Sequence, residues 1–451
     1  MRSTKLKKSL MRRAGVGVMA VASLSIVAGC GNSGGSTSES SGSLKTLTKN
    51  NITLSMWVFD SPAEVKSATA VANAFHKLHP NITIKVQGSA KSQDTSAVTT
   101  AAAGGQLPDI LMTTDTMVRT EASNNVLVNL SPYMKAYGYK ESDFNKLMQV
   151  GQYNNDQYMI PREADQIMVA YNPDLFKKFG VPIPKEGWTY TQYLADSKKL
   201  QQKVGNTQYY ATGNGYGLTA YPLYEAYVAS FGGKFSNAAG TKAYFDSPGT
   251  IKGFTELYDY DKEYSSIFDN LPSDPFVNGH AAMEVITRPT ELSWTNSAQN
   301  AWSAIKFKVN FVNFPLIGSN PKIGGGSAGY AVTADSKYPK EAAAFMMYFL
   351  SKSGEQTYSK IAGAIPMRND LKNDASWRDI PNVGYKLNND AFVDYGQDVV
   401  TPPPIPIAAA GPISTDVTNA LQAIQLGKET PKKALTDLNA QVNKVLASGQ
   451  E

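Results

Sequence analysis

A chain of 451 residues with a single cysteine is too long for one hydrophobic core and cannot be a disulfide-stapled scaffold, because a lone thiol has no intrachain partner. Its formal charge of +5 comes from six basic residues crowded into the first thirteen positions, and without them the balance falls to −1. The remaining Lys and Arg are interspersed with acids, which excludes the basic stripe of a nucleic-acid binder.

The first element is a basic head and an apolar body. Arg2, Lys5, Lys7, Lys8, Arg12 and Arg13 precede an apolar run from Ala14 to Gly29, and the first acidic residue is Glu39. This is the layout of a secretory signal. A permanent span needs roughly 20 apolar residues, so removal is expected rather than anchoring. The run closes in Val27-Ala28-Gly29-Cys30, and that ending resembles the lipobox of bacterial lipoproteins. The resemblance implies cleavage after residue 29 and acylation of Cys30. Gly31 to Ser43 is almost entirely Gly, Ser, Thr and Asn, too poor in apolar surface to fold, so residues 30–50 are expected to form the anchor and a flexible tether. No second hydrophobic span follows, and the body is expected to be extracytoplasmic and soluble.

From Asn51 the pattern alternates. Ile52 to Val58 has the period of a strand, and Glu64 to Leu78 places Val71, Phe75 and Leu78 at helical spacing before Pro80. Ile82–Val86 is a strand, Asp94–Ala103 a helix closed by Gly104-Gly105, and Pro108–Met112 a third strand. The βαβαβ order predicts a mainly parallel sheet covered by helices. A similar cycle restarts after Pro161, with a strand at Ile167–Tyr171, a helix at Pro222–Phe231 and a buried strand at Ala281–Ile286. Two amphipathic helices end the chain, one carrying Val417, Leu421 and Ile424, the other Leu435, Leu438, Val442 and Val445.

Several passages resemble the extracellular solute-binding family of ABC sugar importers that includes maltose- and maltodextrin-binding proteins. They are Ala103-Gly-Gly-Gln-Leu-Pro-Asp-Ile110, Tyr158 to Asp165, Tyr171 to Gly180 and Phe276 to Met283. Phe314-Pro-Leu, Gly324 to Gly329, Pro339 to Phe345 and Ala364 to Arg368 follow in the family order. The resemblance implies a type II periplasmic-binding-protein fold of two α/β lobes, each a mainly parallel sheet flanked by helices, with a hinge between. The first lobe is expected to hold residues 51–161 and 311–350, and the second 162–310 and 351–451, with the terminal helices on the second. It also implies a monomer that hands a sugar to ABC permease subunits, performs no chemistry and carries no cofactor or metal. A Gram-positive surface suits the tether.

Ligands of open α/β sheets sit beyond the carboxyl ends of strands, which selects Trp57, Phe59 and Asp60 after the first strand and Asp115 after the third. A sugar needs aromatic plates beside carboxylates and amides, since a buried polar group without a partner costs on the order of 1–3 kcal/mol; the chain has 24 Tyr and 5 Trp. The resemblance places an acidic contact at the first crossing, at Glu163 or Asp165, and an aromatic from the second lobe at Tyr216 or Tyr221. It also places a ligand loop at Arg288 and Trp294. Gly326 and Ser327 lie in a turn whose backbone N–H groups can approach a ligand, and Arg368 offers a bidentate donor.

His76 and His79 are read as residues of a helix C-terminus, because no third ligand group accompanies them. No nucleophile elbow, P-loop or dinucleotide fingerprint is present. Three other readings stand beside the sugar carrier. They are a secreted glycoside hydrolase, whose acids need not be neighbours in sequence, a same-fold carrier of iron, polyamine or sugar phosphate, and a surface adhesin.

Overall fold

The computed structural model describes residues 41–269, 271–289, 294–296, 301–302, 305–379, 383–393, 398–400 and 407–448; the signal, Cys30 and the first part of the tether lie outside them. Strand β1 (Ile52–Val58) turns Ile52, Leu54, Met56 and Val58 to one face and leaves Thr53 and Ser55 on the other, the alternation that a half-covered strand requires. Helix α1 (Pro62–Leu78) starts where Ser61 Oγ accepts the Glu64 N–H at 3.2 Å and Pro62 presets the first turn. Its C-cap is His79, whose N–H donates to Phe75 O and whose ring lies 4.6 Å from that of Phe75.

Strands β2 (Ile82–Gly88), β3 (Ile110–Thr114) and β4 (Met159–Pro161) join β1 in a first sheet, with helices α2 (Thr95–Ala103) and α3 (Val118–Ser123) on either side of β3 in sequence. A second sheet is built from β5 (Met168–Tyr171), β6 (Gln202–Val204), β7 (Thr207–Thr212), β8 (Ala281–Ile286) and β9 (Asn310–Asn313). Strand β10 (Ala328–Val332) returns to the first sheet, whose order is β2-β1-β3-β10-β4; the second runs β9-β5-β8-β7-β6.

The sheets are mixed rather than mainly parallel. β1 pairs in parallel with β2 and β3, but β10 is antiparallel to both β3 and β4. In the second sheet only β7 and β8 are parallel, while β5 runs against β8 and β9 and β6 against β7. Parallel neighbours need a helical crossover on one sheet, whereas β5, β9 and β10 enter or leave through passages between sheets and are free to run the other way.

Those passages lie side by side. Arg162 N–H donates to Ala328 O (3.1 Å), Ile167 N–H to Gly324 O (3.2 Å) and Ala164 N–H to Ile365 O (2.9 Å). β9 pairs with β5, so residues 310–313 belong to the second sheet and the chain re-enters the first at Ala328, later than the expected return near 311. The following departure is also later than residue 350. Helix α7 (Pro339–Phe349) packs on β10, and α8 (Lys352–Ala362) packs along α1 in the first lobe. The shared reason is that α7 and α8 bury apolar faces against first-lobe elements: Phe345 sits 5.4 Å edge-on to Phe75, both nearly fully buried.

The second lobe contains helices α4 (Tyr190–Leu200), α5 (Tyr221–Ser230) and α6 (Pro248–Tyr264). Tyr193, Tyr227 and Tyr260 are buried there, with the Tyr193 and Tyr260 rings stacked at 4.6 Å and their hydroxyls meeting Thr212 and Ser197. Much of the tyrosine excess is therefore core. Helix α10 (Pro431–Ser448) packs on α6. Helix α9 (Ile407–Gln425) does not stay there: it packs on α10 but also reaches α2 and α3 of the first lobe. Among the described residues no helix is long and apolar enough to cross a membrane.

Candidate functional site

The end of β3 and the start of α5 meet across the lobes. Asp115 follows β3; its N–H donates to Ser327 O at 3.1 Å, and its Oδ1 accepts the Thr116 N–H at 3.0 Å. Its Oδ2 has no hydrogen-bond partner, and burial raises the carboxyl to about 7. One turn on, Arg119 is buried and donates to the carbonyls of Val150 and Gln149 at 3.3 and 3.1 Å. From the second lobe, the Tyr221 hydroxyl donates to Glu225 Oε1 at 2.9 Å, and Glu225 Oε2 has no partner. Burial, then the charge of Asp115, pushes Glu225 up to about 8. Two carboxylates and a phenol from opposite lobes thus share the field of one guanidinium.

The passages between the lobes supply the floor. A Cβ on Gly324 would stand 1.6 Å from Pro222 O, so this crossing touches the start of α5 only because residue 324 has no side chain. Gly326 lies between Asp115 and Pro222, which a Cβ would meet at 3.7 and 3.6 Å. Ser327 Oγ donates to the carbonyls of Glu163 and Ala328. Glu163 is buried and paired with Arg162 at 2.9 Å. Asp165 Oδ1 accepts the Arg288 N–H at 3.1 Å, and burial together with Glu163 holds its carboxyl far above the usual range.

Two cavities flank this cluster. The larger, about 450 Å³, lies under α9. The first lobe contributes Val98, Met117 and Glu121, the second Tyr221, Tyr224 and Phe235, and α9 adds Ile413, Ser414, Val417 and Leu421. The smaller, about 370 Å³, is polar and reached by Arg119, Glu225, Lys234 and Asn237; Phe235 and Ser236 border both. A concave chamber of the larger kind, mostly apolar with a few converging polar groups, is the ordinary form of a small-molecule site.

Of the residues singled out from the sequence, Tyr221 lines the large cavity, and Asp115, Gly326, Ser327, Glu163 and Asp165 form the polar cluster beside it. Trp57 points to the opposite face of β1 from the main core, against Val98, Leu111 and Met117 with the Lys91 ammonium 5.8 Å above its ring, one layer behind the cavity wall. Asp60 is exposed and outside the lining of either cavity.

Four expectations are corrected. Tyr216 turns inward, its hydroxyl 3.1 Å from Thr287 Oγ1, because its backbone continues the β8 ladder. Arg288 is fully buried and bonds the carbonyls of Gly363 and Trp377 at 2.9 and 3.0 Å beneath the rings of Trp377 and Phe392; it ties the third passage to β8. Trp294 is buried against Phe276 with ring centroids 5.4 Å apart. Arg368 forms a two-pronged pair with Asp370 and covers Phe144 on the first lobe, away from both cavities. Missed were Arg119, Glu121, Glu225 and the Ile413–Leu421 face of α9. The four-residue spacing Tyr221–Glu225 was the available signal, since residues four apart share a helical face.

Two α/β lobes, three parallel passages between them and a chamber walled from both sides define a cleft-type binding protein. The chain belongs to the bacterial extracellular solute-binding protein family, whose sequence profile matches residues 70–384, and family membership places it outside the cytoplasm. It is similar to a binding protein of Brucella abortus, 24% identical over 305 residues covering 64% of this chain and 68% of that one. The fold is shared with an ABC substrate-binding protein of Listeria monocytogenes in complex with cycloalternan, with TM-score 0.69, 22% identity, and coverage of 88% of this chain and 99% of that one. It is also shared with the sugar-binding protein MalE of Xanthomonas citri, with TM-score 0.71, 17% identity, and coverage of 88% and 98%.

Proposed function

We propose that the protein captures a carbohydrate between its lobes and delivers it to the permease of an ABC importer without altering it. The observation that carries the reading is the convergence of Asp115 and Arg119 with Tyr221 and Glu225 beside a walled chamber. A polyol bound there hydrogen-bonds to both lobes at once, so closure is favourable only around a guest, a known mode of hinge closure. The kinds of ligand named for the Listeria and Xanthomonas structures support the carbohydrate class. The lobe boundaries follow the sheets, with residues 52–161 and 328–368 in one and 168–313 with α10 in the other.

Thermal-shift screening of mono- and oligosaccharides beside ferric iron and polyamines is expected to give stabilisation by sugars alone. For the best sugar, Tyr221→Ala is expected to weaken calorimetric binding about tenfold, or about 1.4 kcal/mol, through lost ring contact. Unchanged affinity would remove the chamber from the site, and turnover of the glycan would replace the carrier by an enzyme. The reading includes acylation of Cys30 as the membrane anchor, on the strength of the basic head, apolar run and Val27-Ala28-Gly29-Cys30 ending. Cys30→Ser is expected to abolish fatty-acid labelling and release the protein from the membrane; a processed, membrane-retained variant would exclude the anchor.

A further inference from the structure

The chamber under α9 contains a carboxylate that the polar cluster does not use. Glu121, in the first turn of α3, is 2% exposed and lines the cavity, and neither of its oxygens has a hydrogen-bond partner among the described residues. The Thr113 hydroxyl faces it and favours its charge without completing a bond. The rest of the lining supplies apolar surface from Val98, Met117 and Val417 and neutral hydrogen-bonding groups such as Tyr221, Ser414 and Gln422; among the described residues no Lys, Arg or His is in it. A carboxyl in such a wall keeps its proton until a cation arrives, because an unpaired charge there would have lost water and gained nothing.

Across the polar cluster and the passages beside the chamber, acidic side chains outnumber basic ones. Glu64, Asp115, Glu121, Glu163, Asp165 and Glu225 are all buried or nearly so, and the guanidiniums among them are those of Arg119, Arg162 and Arg288. Arg119 bonds two backbone carbonyls, Arg288 bonds two more, and Arg162 pairs with Glu64 and Glu163. Among the described residues, Asp115 and Glu225 each retain one oxygen with no hydrogen-bond partner and Glu121 retains both. A cation entering the chamber would hold the Glu121 carboxyl in its charged form, whereas an anion meets no basic side chain in the described lining.

We propose that the carbohydrate carries a basic amino group, which Glu121 receives as a charge-assisted hydrogen bond, so that the preferred ligand is an amino sugar. This rests on the carbohydrate reading above and deepens it. A neutral hydroxyl satisfies one oxygen and leaves the carboxylate uncompensated, whereas an ammonium supplies both a donor and the counter-charge, and such bonds are roughly twice as strong as neutral ones. The neutral groups of the lining take the hydroxyls, and the apolar groups take the C–H faces. A sugar phosphate finds no counter-charge in the described lining. Burial raises the Glu121 carboxyl to about 7, in keeping with a group waiting for a cation.

The test is calorimetric titration of the full-length protein with matched triplets: glucosamine, N-acetylglucosamine and glucose, the corresponding galactose set, and their α- and β-linked di- to tetrasaccharides, with the 6-phosphates as the anionic arm. At least one amine is expected to bind ten times or more tighter than both its N-acetyl and its hydroxyl counterpart, and the phosphates not at all. In Glu121→Gln that ratio is expected to fall to about one. The melting temperature of the variant, expected to be unchanged or higher, shows that the fold is retained. Equal binding within every triplet, or a preference that survives Glu121→Gln, overturns the amine and leaves the carbohydrate reading standing. Binding of no sugar in any form overturns both.

Discussion

Arg162→Ala is expected to destabilise the folded protein by about 3–5 kcal/mol, the range for breaking a buried ion pair from one side. Arg162 stands at the first residue of the first passage between the lobes. Its guanidinium meets the Glu64 carboxylate of α1 and, at 2.9 Å, that of Glu163, while its plane lies 5.3 Å from the Phe59 ring. Glu64 also accepts the hydroxyls of Tyr330 on β10 and Tyr358 on α8. One carboxylate therefore gathers α1, β10, α8 and the passage. Removing the guanidinium leaves Glu64 and Glu163 buried, like-charged and close, which is worse than losing all three groups together. Urea unfolding followed by tryptophan fluorescence reads the loss. The companion variant Arg162→Met with Glu64→Gln is expected to lose less than Arg162→Ala alone, because the orphan charge at Glu64 is gone. A loss below about 1 kcal/mol in the single variant would mean that the network is solvated and contributes as little as a surface pair.

The ligand-free protein is expected to be most stable near pH 5 and to lose stability steadily up to about pH 8. Burial raises Asp115 and Glu121 to about 7, and Glu225, Asp261 and Glu355 to about 8, from ordinary values of 3.8 for Asp and 4.5 for Glu. A folded-state pKa above the unfolded one means that the native protein holds protons which the unfolded chain has released. That contribution is full below pH 4 and disappears as pH rises through 7 and 8. One pKa unit corresponds to about 1.4 kcal/mol, so Glu121 alone contributes on the order of 3 kcal/mol across the window. Asp370 and Asp374, lowered by Arg368 and by the Ser376 hydrogen bonds, act in the opposite sense, but their effect is confined below pH 4 and they are largely exposed. Melting temperatures taken from pH 4 to pH 9 check the trend. A flat or rising profile would mean that these carboxyls are ionised and hydrated in the native state. Glu121→Gln is expected to flatten the curve, and because it removes a charge the fold has not paired, it also separates stability from capture.

The cluster that sets this pH dependence was only half legible in the residue pattern. Asp115 was selected because it follows a strand, and Tyr221 because the family resemblance implies an aromatic of the second lobe there. Glu225 and Arg119 lie one helical turn beyond each and read as ordinary surface positions. Arg288 and Arg368 show the opposite failure. Each stands in a loop-like context that suits a ligand contact, yet one caps backbone carbonyls in the core and the other pairs with the acid two residues on. A guanidinium is equally suited to a ligand, a carbonyl or a carboxylate, so residue type alone cannot choose among them.

What the sequence by itself determined was local: β1 from its alternation, α1 from the helical spacing of Val71, Phe75 and Leu78 before Pro80, and the buried run of β8. Period, cap and turn chemistry act within a few residues and need no knowledge of the rest of the chain. Only the tertiary structure decided which groups face one another. Asp115 and Glu225 are brought together because the passages at 162–167 and 324–328 lie side by side, and Glu121 is enclosed because α9 crosses from the second lobe to cover it. Both depend on contacts between segments a hundred to three hundred residues apart, where strand direction and helix placement are set by the whole packing.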